Sequence, residues 1–388
     1  MRALLVIDSF KGCLGSAEAG QAALRGLLDA GLSPDDVTCI PVSDGGEGFA
    51  AIVGASLGGR AVTARCRDPF GRPLVVRYFL CDGGRTAIID SASVIGLDKV
   101  EPLLRNPLIL TSFGLGQLIR HAASRGARDI YVGLGGTATC DGGVGMMQAL
   151  GVRFFTRGEV PDDAEFILSE ITRIDADDLW LGDAAIHCMC DTSARFSGRT
   201  GAAVVYGPQK GLAEDKVDAV DAWMHSLSFK IREVTGVNLE YMAGGGAAGG
   251  VAGALAAFCG ADILSGARGV LRITGVERAI RQSVLEGRPY DLVVTGEGRL
   301  DHQTHTGKLP WEVCRLVQSL RAEAPAFNPR LVCLCGTMGK WRFGGFDDIV
   351  RVTPPSMLDK KGAPLPEALG RDTAAGNIRR AAASLISD

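Results

Sequence analysis

Five times in this 388-residue chain, a short apolar run ends in a polar, glycine-rich loop. The loops are DSFKGCLGS at 8–16, VSDGGEGF at 42–49, GLGGTATCDGGVG at 133–145, CDTSARFSGRTGA at 190–202 and TGEGRLDHQTHTGK at 295–308. A buried strand that turns sharply into a helix needs residues tolerant of positive φ and of close backbone approach, and glycine meets both needs. In open α/β folds such loops gather at the carboxyl edge of the sheet, where ligands bind. The pattern predicts an α/β enzyme whose chemistry sits in its loops.

The segments between the loops support that order. ALLVI at 3–7 reads as a buried strand. Residues 16–32 read as a helix with Ser16 at its N-cap and Gly31 near its end, and DVTCIPV at 36–42 as the next strand. Strand, helix, strand implies a parallel pair. The texture then changes to a β-rich run at 61–93 with a Pro-Phe-Gly turn, which sets a domain boundary near residue 65. Further on, 111–127 and 140–151 read as helices, and 128–135 and 184–191 as strands. Residues 215–236 form an amphipathic helix with an exposed charged face. DLVVTGEG at 291–298 and PRLVCLCG at 329–336 return to short parallel-type strands that rejoin the first sheet, and 374–387 is a closing helix. The expected organisation is a discontinuous first domain, 1–65 plus 285–388, and a second α/β domain, 66–284.

Bulk properties narrow the class. With 46% apolar and 22% charged residues the chain has ample core, and a net charge of −3 leaves no basic footprint for nucleic acid or an anionic membrane. The stretch AAGGVAGALAAFCGADIL at 247–264 is too short and too weakly apolar to span a bilayer, and reads as a buried helix. No signal peptide is read in the first residues, so the eleven cysteines are expected as reduced thiols in a cytoplasmic protein. The C-x-C pairs Cys188/Cys190 and Cys333/Cys335 read as small buried residues rather than as a zinc site.

Gly133, Gly135 and Gly136, with Thr137 and Thr139, can present N–H groups and hydroxyls to an anion, and the following helix would add its positive end. The alternative is that they only shape a turn and cap a helix. Two familiar motifs fall away. A Walker A loop ending at Gly307-Lys308 would need glycine where His302 stands and Ser or Thr where Leu309 stands. The loose dinucleotide pattern at Gly133-x-Gly135-x-x-Ala138 is interrupted by Asp141. Asp8, Asp44, Glu47, Asp141, Asp191, Glu297 and Asp301 all stand at or beyond strand ends, with Lys11, Lys210, Arg299 and Lys308 as cations. Phosphoryl transfer uses such carboxylates to hold Mg²⁺ and orient an accepting hydroxyl, and such cations to balance phosphate charge. Each acid taken alone is as readily an Asx turn or a helix cap. His302 and His305 read as loop polarity.

Taken together, these loops resemble the bacterial glycerate kinase family. The matching stretches are DSFKG at 8–12, SDGGEG at 43–48, RNPL at 105–108, TSFGLGQLI at 111–119 and GLGGTATCDGGVGMMQALG at 133–151. YGPQKG at 206–211, GGGAAGGVAGALAAF at 244–258 and DLVVTGEGRLDHQTHTGKLP at 291–310 complete the set, in family order along nearly the whole chain. The resemblance implies a Rossmann-like parallel-sheet domain with an inserted second α/β domain and a cleft between them. It implies ATP and Mg²⁺ as cofactors, and 2-phosphoglycerate as product. The chain departs from the family pattern at Thr137 and Cys140, where serine and asparagine are usual. It departs again at Thr192–Phe196, which lack the usual Asn-Pro pair and add Arg195, and at Asp90, which stands for a glutamate.

Residue chemistry and loop placement, joined to the resemblance, set the expected roles. Asp191 is the catalytic base, with Lys11 and Arg299 on the substrate carboxylate or the moving phosphoryl group. Gly133, Gly135, Gly136, Thr137 and Thr139 hold nucleotide phosphates. Ser9, Asp44, Glu297 and Asp301 contact the hydroxy acid, and Asp44 and Asp191 hold Mg²⁺. The expected partners are a small hydroxy acid and a nucleotide, not nucleic acid or membrane. The alternatives are a kinase of a related hydroxy acid, a non-catalytic glycerate or nucleotide sensor, and an NAD-dependent dehydrogenase.

Overall fold

The structure, a computed structural model, describes residues 1–10, 12–43, 48–156, 171–340, 343–360 and 362–386. Lys11, Asp44 and Glu47 lie outside the described residues. The chain divides into two compact units, Met1–Asp44 with Ala267–Asp388, and Gly45–Gly266.

The first unit opens with β1 (Ala3–Ile7), α1 (Ser16–Asp29) and β2 (Val37–Cys39). The second unit begins with α2 (Phe49–Ser56), β3 (Arg60–Arg67), β4 (Pro73–Cys81), β5 (Thr86–Asp90) and α3 (Ala92–Ile95). It continues through α4 (Phe113–Ser124), β6 (Asp129–Gly133), α5 (Val144–Leu150), β7 (Arg153–Thr156), β8 (Ile171–Asp175) and β9 (Ala185–Met189). Then come α6 (Ala202–Tyr206), α7 (Val217–Thr235), α8 (Val251–Cys259) and β10 (Asp262–Leu264). The chain returns to the first unit through α9 (Gly266–Ile273), α10 (Val276–Leu285), β11 (Leu292–Leu300) and α11 (Leu309–Glu323). It ends with β12 (Arg330–Met338), β13 (Asp348–Arg351) and α12 (Arg371–Ser384).

The first unit is a five-stranded sheet in the order β13-β12-β11-β1-β2, parallel throughout. Counted within the unit this is the order 2-1-3-4-5, whose topological switch point falls between β1 and β11. The unbroken apolar runs that open β1 and β11 follow from burial on both faces, the rule for parallel sheets covered by helices. Leu5, Ile7, Leu292, Val294, Val332 and Leu334 pack under α1 and α12, while α11 packs on β11 and β12. Ser16 is not the N-cap of α1 but its first residue, with Gly15 in the cap position. The Ser16 hydroxyl donates to the Ile7 carbonyl at 2.6 Å and accepts from Val42 N–H at 3.1 Å, tying the ends of β1 and the β2 loop. Glu18 caps instead, accepting from Gly15 N–H at 3.0 Å.

The second unit is built on a six-stranded sheet, β10-β9-β6-β5-β4-β3. Its first four strands are parallel, and β4 and β3 close it as antiparallel strands. The texture change in the sequence is this β3–β4 hairpin, whose turn is held by Asp68 Oδ1 accepting from Phe70 and Arg72 N–H, both at 2.9 Å. Residue 65 falls inside β3, and residue 284 inside α10. The glycine–alanine run is the buried helix α8, and among the described residues no helix is long and apolar enough to cross a membrane. All eleven cysteines are free thiols. Cys188, Cys190, Cys333 and Cys335 are buried in the two cores, as small apolar residues would be.

Candidate active site

At the carboxyl edge of the first unit, β1 is followed by Asp8 and Ser9, and β11 carries Glu297, Gly298 and Arg299. These residues line a cavity of about 580 Å³ at the switch point, with Thr337 and Met338 of β12 and Thr353 after β13. That volume lies within the range of small-molecule sites. Parallel register sets the edge: Ile7 is level with Gly296, and Asp8 N–H donates to the Gly296 carbonyl at 3.0 Å. Gly296 backs on the Leu334 carbonyl so closely that a Cβ would stand 2.4 Å from it. This is why β11 carries glycine where it pairs with β12.

Glu297 is the electrostatic centre of this edge. It is 6% exposed, and its Oε1 accepts from the Thr304 hydroxyl at 2.6 Å. The Lys308 ammonium donates to Oε2 at 3.3 Å. Burial pushes the Glu297 carboxyl above its ordinary range, against the pull of Lys308 and Thr304. Arg299 is exposed and pairs through Nε with Asp301 Oδ2 at 3.3 Å, and Asp301 N–H donates to Thr304 Oγ1 at 3.2 Å. The Thr304 hydroxyl therefore ties the Glu297 carboxylate to the backbone of Asp301. His305, expected as solvated loop polarity, instead stacks on Phe343 at 4.8 Å and meets Trp311 edge-on at 4.1 Å.

The second unit carries its own polar edge, at the ends of β5, β6 and β9. Asp90 Oδ1 accepts from Ala92 N–H and Oδ2 from Gly48 N–H, both at 3.1 Å. The loop after β6 is pinned by Leu134 N–H to Met189 O, Ala138 N–H to Ile95 O and Leu97 N–H to Gly136 O. Gly136 is exposed and Gly135 half-buried, while Thr137 and Thr139 are buried. Behind the threonines lies Lys210, 4% exposed, donating to Thr137 Oγ1 at 3.2 Å and to the Thr139 carbonyl at 2.7 Å. Burial draws the Lys210 ammonium below its ordinary value. Asp191, half-buried at the end of β9, accepts from the Ser265 hydroxyl at 3.2 Å.

One expectation for this loop changes. The positive end of the following helix is already taken. Asp141 accepts from Ser112 N–H and Oγ (2.8 Å each), Gly143 N–H (3.1 Å) and Gly145 N–H (3.2 Å). Its carboxylate clamps the starts of α4 and α5 and is structural. Cys140 lies in the core with its thiol pushed up to about 11 by burial, so it is a packing residue and not a polar ligand. Arg195, which the sequence set beside Asp191, holds its guanidinium 5.8 Å from the centroid of the Tyr241 ring.

The structure thus gathers Ser9, Glu297 and Arg299, with Asp301 beside them, on the first unit's edge. It places Gly133–Thr139 and Asp191 on the second unit's edge. Sequence reasoning passed over Thr304, Lys340 and Asn377. Asn377, 3% exposed and lining the cavity, had a signal: an amide on the buried face of the closing helix. Thr304 had only its place between two candidate histidines, and Lys340 had none.

Both sheets and both edges define a two-unit α/β protein with hydroxyls, carboxylates and cations arrayed at the carboxyl ends of parallel strands. The chain belongs to the glycerate kinase family, which it matches over residues 3–385. It is 35% identical over 322 residues to the glycerate kinase of Bacillus subtilis (strain 168), covering 82% of each chain. It is 34% identical over 322 residues to the glycerate 2-kinase of Escherichia coli (strain K12), again 82% of each. A crystal structure of a protein assigned as glycerate kinase 2 from Salmonella typhimurium LT2 superposes with a TM-score of 0.81 at 32% identity. That match covers 100% of this chain and 97% of the other.

Proposed function

We propose that this chain is a kinase of D-glycerate, transferring the γ-phosphoryl group of ATP to the 2-hydroxyl to give 2-phosphoglycerate and ADP. The observation that carries this reading is the array of Ser9, Glu297, Arg299 and Lys308 around one cavity at the switch point, in a chain of this family. Ser9, Glu297 and Asp301, with Asp44, contact the acid. Arg299 and Lys11 balance its carboxylate or the moving phosphoryl group. Gly133, Gly135, Gly136, Thr137 and Thr139 hold the nucleotide phosphates through N–H groups and hydroxyls. Asp191 takes the proton of the attacking hydroxyl as its oxygen bonds to the γ-phosphorus and the bond to ADP breaks.

The donor chemistry fits Mg²⁺. The thiol beside Asp191, Cys190, is pushed up to about 11 by burial and stays protonated, so the donors left at this edge are oxygens, as a hard cation requires. Asp191 and Asp44 would hold the ion, which when bound neutralises charge on the phosphate oxygens. The place of action is the cytoplasm, where eleven free thiols stay reduced.

Incubation with ATP, Mg²⁺ and D-glycerate, followed by NMR of the product, tests the reading. Phosphate on the 2-hydroxyl is the expected outcome; no product from D-glycerate or any other small hydroxy acid overturns it. Asp191→Asn should lower kcat by at least about a hundredfold with the melting temperature unchanged. Undiminished turnover removes Asp191 from the mechanism.

A further inference from the structure

We infer that Lys210 is the positioning residue of the phosphate-holding loop, orienting and charging Thr137 and Thr139 from behind for the phosphoryl chain of the donor. The inference rests on the kinase reading above. It follows from counting donors and acceptors. Lys210 ends the Pro208–Lys210 turn after α6, and its side chain is enclosed. An ammonium has three N–H donors and no acceptor. Two of the three reach protein oxygens, the Thr137 hydroxyl and the Thr139 carbonyl, and both oxygens are neutral. Among the described residues Lys210 forms no ion pair. Among the described residues the one carboxylate that acts on it electrostatically, Asp141, is engaged by Ser112, Gly143 and Gly145.

The two threonines continue the account. Because the Thr137 oxygen receives an N–H from Lys210, its own hydrogen is left for another acceptor. The Thr139 hydroxyl is buried and has no partner among the described residues. One N–H and two hydroxyl hydrogens are therefore in surplus around a single positive charge, with no carboxylate to absorb them. A buried charge that no carboxylate contacts, with Asp141 acting on it only through space, is costly, so the arrangement calls for a negatively charged group rich in acceptor oxygens. The loop offers such a group a way in at Gly135 and Gly136, its more open residues. A hydroxyl that accepts from an ammonium is also polarised into a stronger donor, so Lys210 acts on the phosphoryl oxygens through Thr137.

Steady-state kinetics of Lys210→Met, Lys210→Arg, Thr137→Val and Thr137→Ser, with ATP and D-glycerate varied separately, test the assignment. Methionine keeps length and burial without charge, and its melting temperature should be no lower than that of the parent protein. The expected result is a KM for ATP raised about tenfold or more in Lys210→Met, with the KM for D-glycerate within about twofold. Lys210→Arg should recover part of the loss, and ethylammonium should partly restore Lys210→Ala. An unchanged KM for ATP, or an equal or larger rise for D-glycerate, overturns the inference. If Lys210→Met does not fold, Thr137→Val must show the same rise and Thr137→Ser must not. If the parent protein turns over no hydroxy acid, the kinase reading fails first. Calorimetric binding of ADP to the parent and to Lys210→Met then decides the role of Lys210. Weaker binding to Lys210→Met sustains it, and equal binding removes it.

Discussion

Glu297 carries opposed demands on one side chain. Burial raises its carboxyl above the usual value of 4.5, so the folded protein holds the proton more tightly than the unfolded chain. The stabilisation belonging to the protonated form is complete below about pH 4.5, and is lost as pH rises through the raised value. Glu297→Gln keeps an oxygen for Thr304 and removes the buried charge. Its melting temperature should match the parent protein near pH 4, exceed it increasingly as pH rises through the raised value, and level off above it. Catalytic efficiency should fall in the same variant, since the pairing with Lys308 is gone. Scanning fluorimetry across that range checks the first part; a parent protein that gains on the variant as pH rises would reverse the sign. Glu297 and Asp141 also show how far single residues were legible. In the sequence both read as acids closing a strand in a glycine-rich stretch, which makes them equivalents. One faces a cavity and a lysine, while the other is spent on four donors at the starts of two helices. That difference depends on α4 meeting α5, a contact between segments about thirty residues apart that no local pattern encodes.

At the scale of elements, two helical glycines should respond to alanine with opposite signs. Gly116 lies in α4 against α5, and a Cβ there would stand 2.2 Å from the Met146 carbonyl and 2.8 Å from Ala149 Cβ. Alanine gains at most about 1 kcal/mol of helix propensity, while forced separation of two packed helices costs about 1–3 kcal/mol. Gly116→Ala should therefore destabilise. Gly376 in α12 has only the Arg380 guanidinium at 3.6 Å from its added Cβ, an ordinary contact. Gly376→Ala should stabilise by about 0.5–1 kcal/mol. Urea midpoints of the two variants decide the matter, and equal signs would show that the packing argument is wrong. Elements were legible where their pattern was long enough. β1 announces itself as an apolar run closed by Asp8, β11 and β12 as apolar runs closed by glycine, and α7 by its buried stripe of Val220, Met224, Leu227 and Ile231. β10 and β13 have three and four residues, too few for any period, and exist because a neighbouring strand offers them a ladder.

For the whole molecule, the question is where one folding unit stops. In the sequence, a change of texture suggests a cut near residue 65, and the return of parallel-type strands suggests one near 285. Contacts group residues 45–266 instead. β3 pairs with β4 from Arg60–Leu80 to Arg67–Pro73, so a cut at 66 removes most of one strand of a hairpin. It also removes α2, which packs on β4 and β5 and brings Gly54 against the Phe79 ring. At the other end, residues 267–284 hold to α11: Arg268 pairs with Glu312 at 3.1 Å, and Arg281 with Glu323 at 2.9 Å. The main core of the second unit, by contrast, runs from Val62 to Ala261 and closes within the unit. A chain with its own sheet and its own closed core is a candidate to fold alone. A fragment of residues 45–266 should show a single cooperative thermal transition by circular dichroism. A fragment of residues 66–284 should not, since it exposes the β4 edge and carries α9 and α10 without α11. Cooperative melting of the second fragment with none in the first would move the boundary back to where the texture changes.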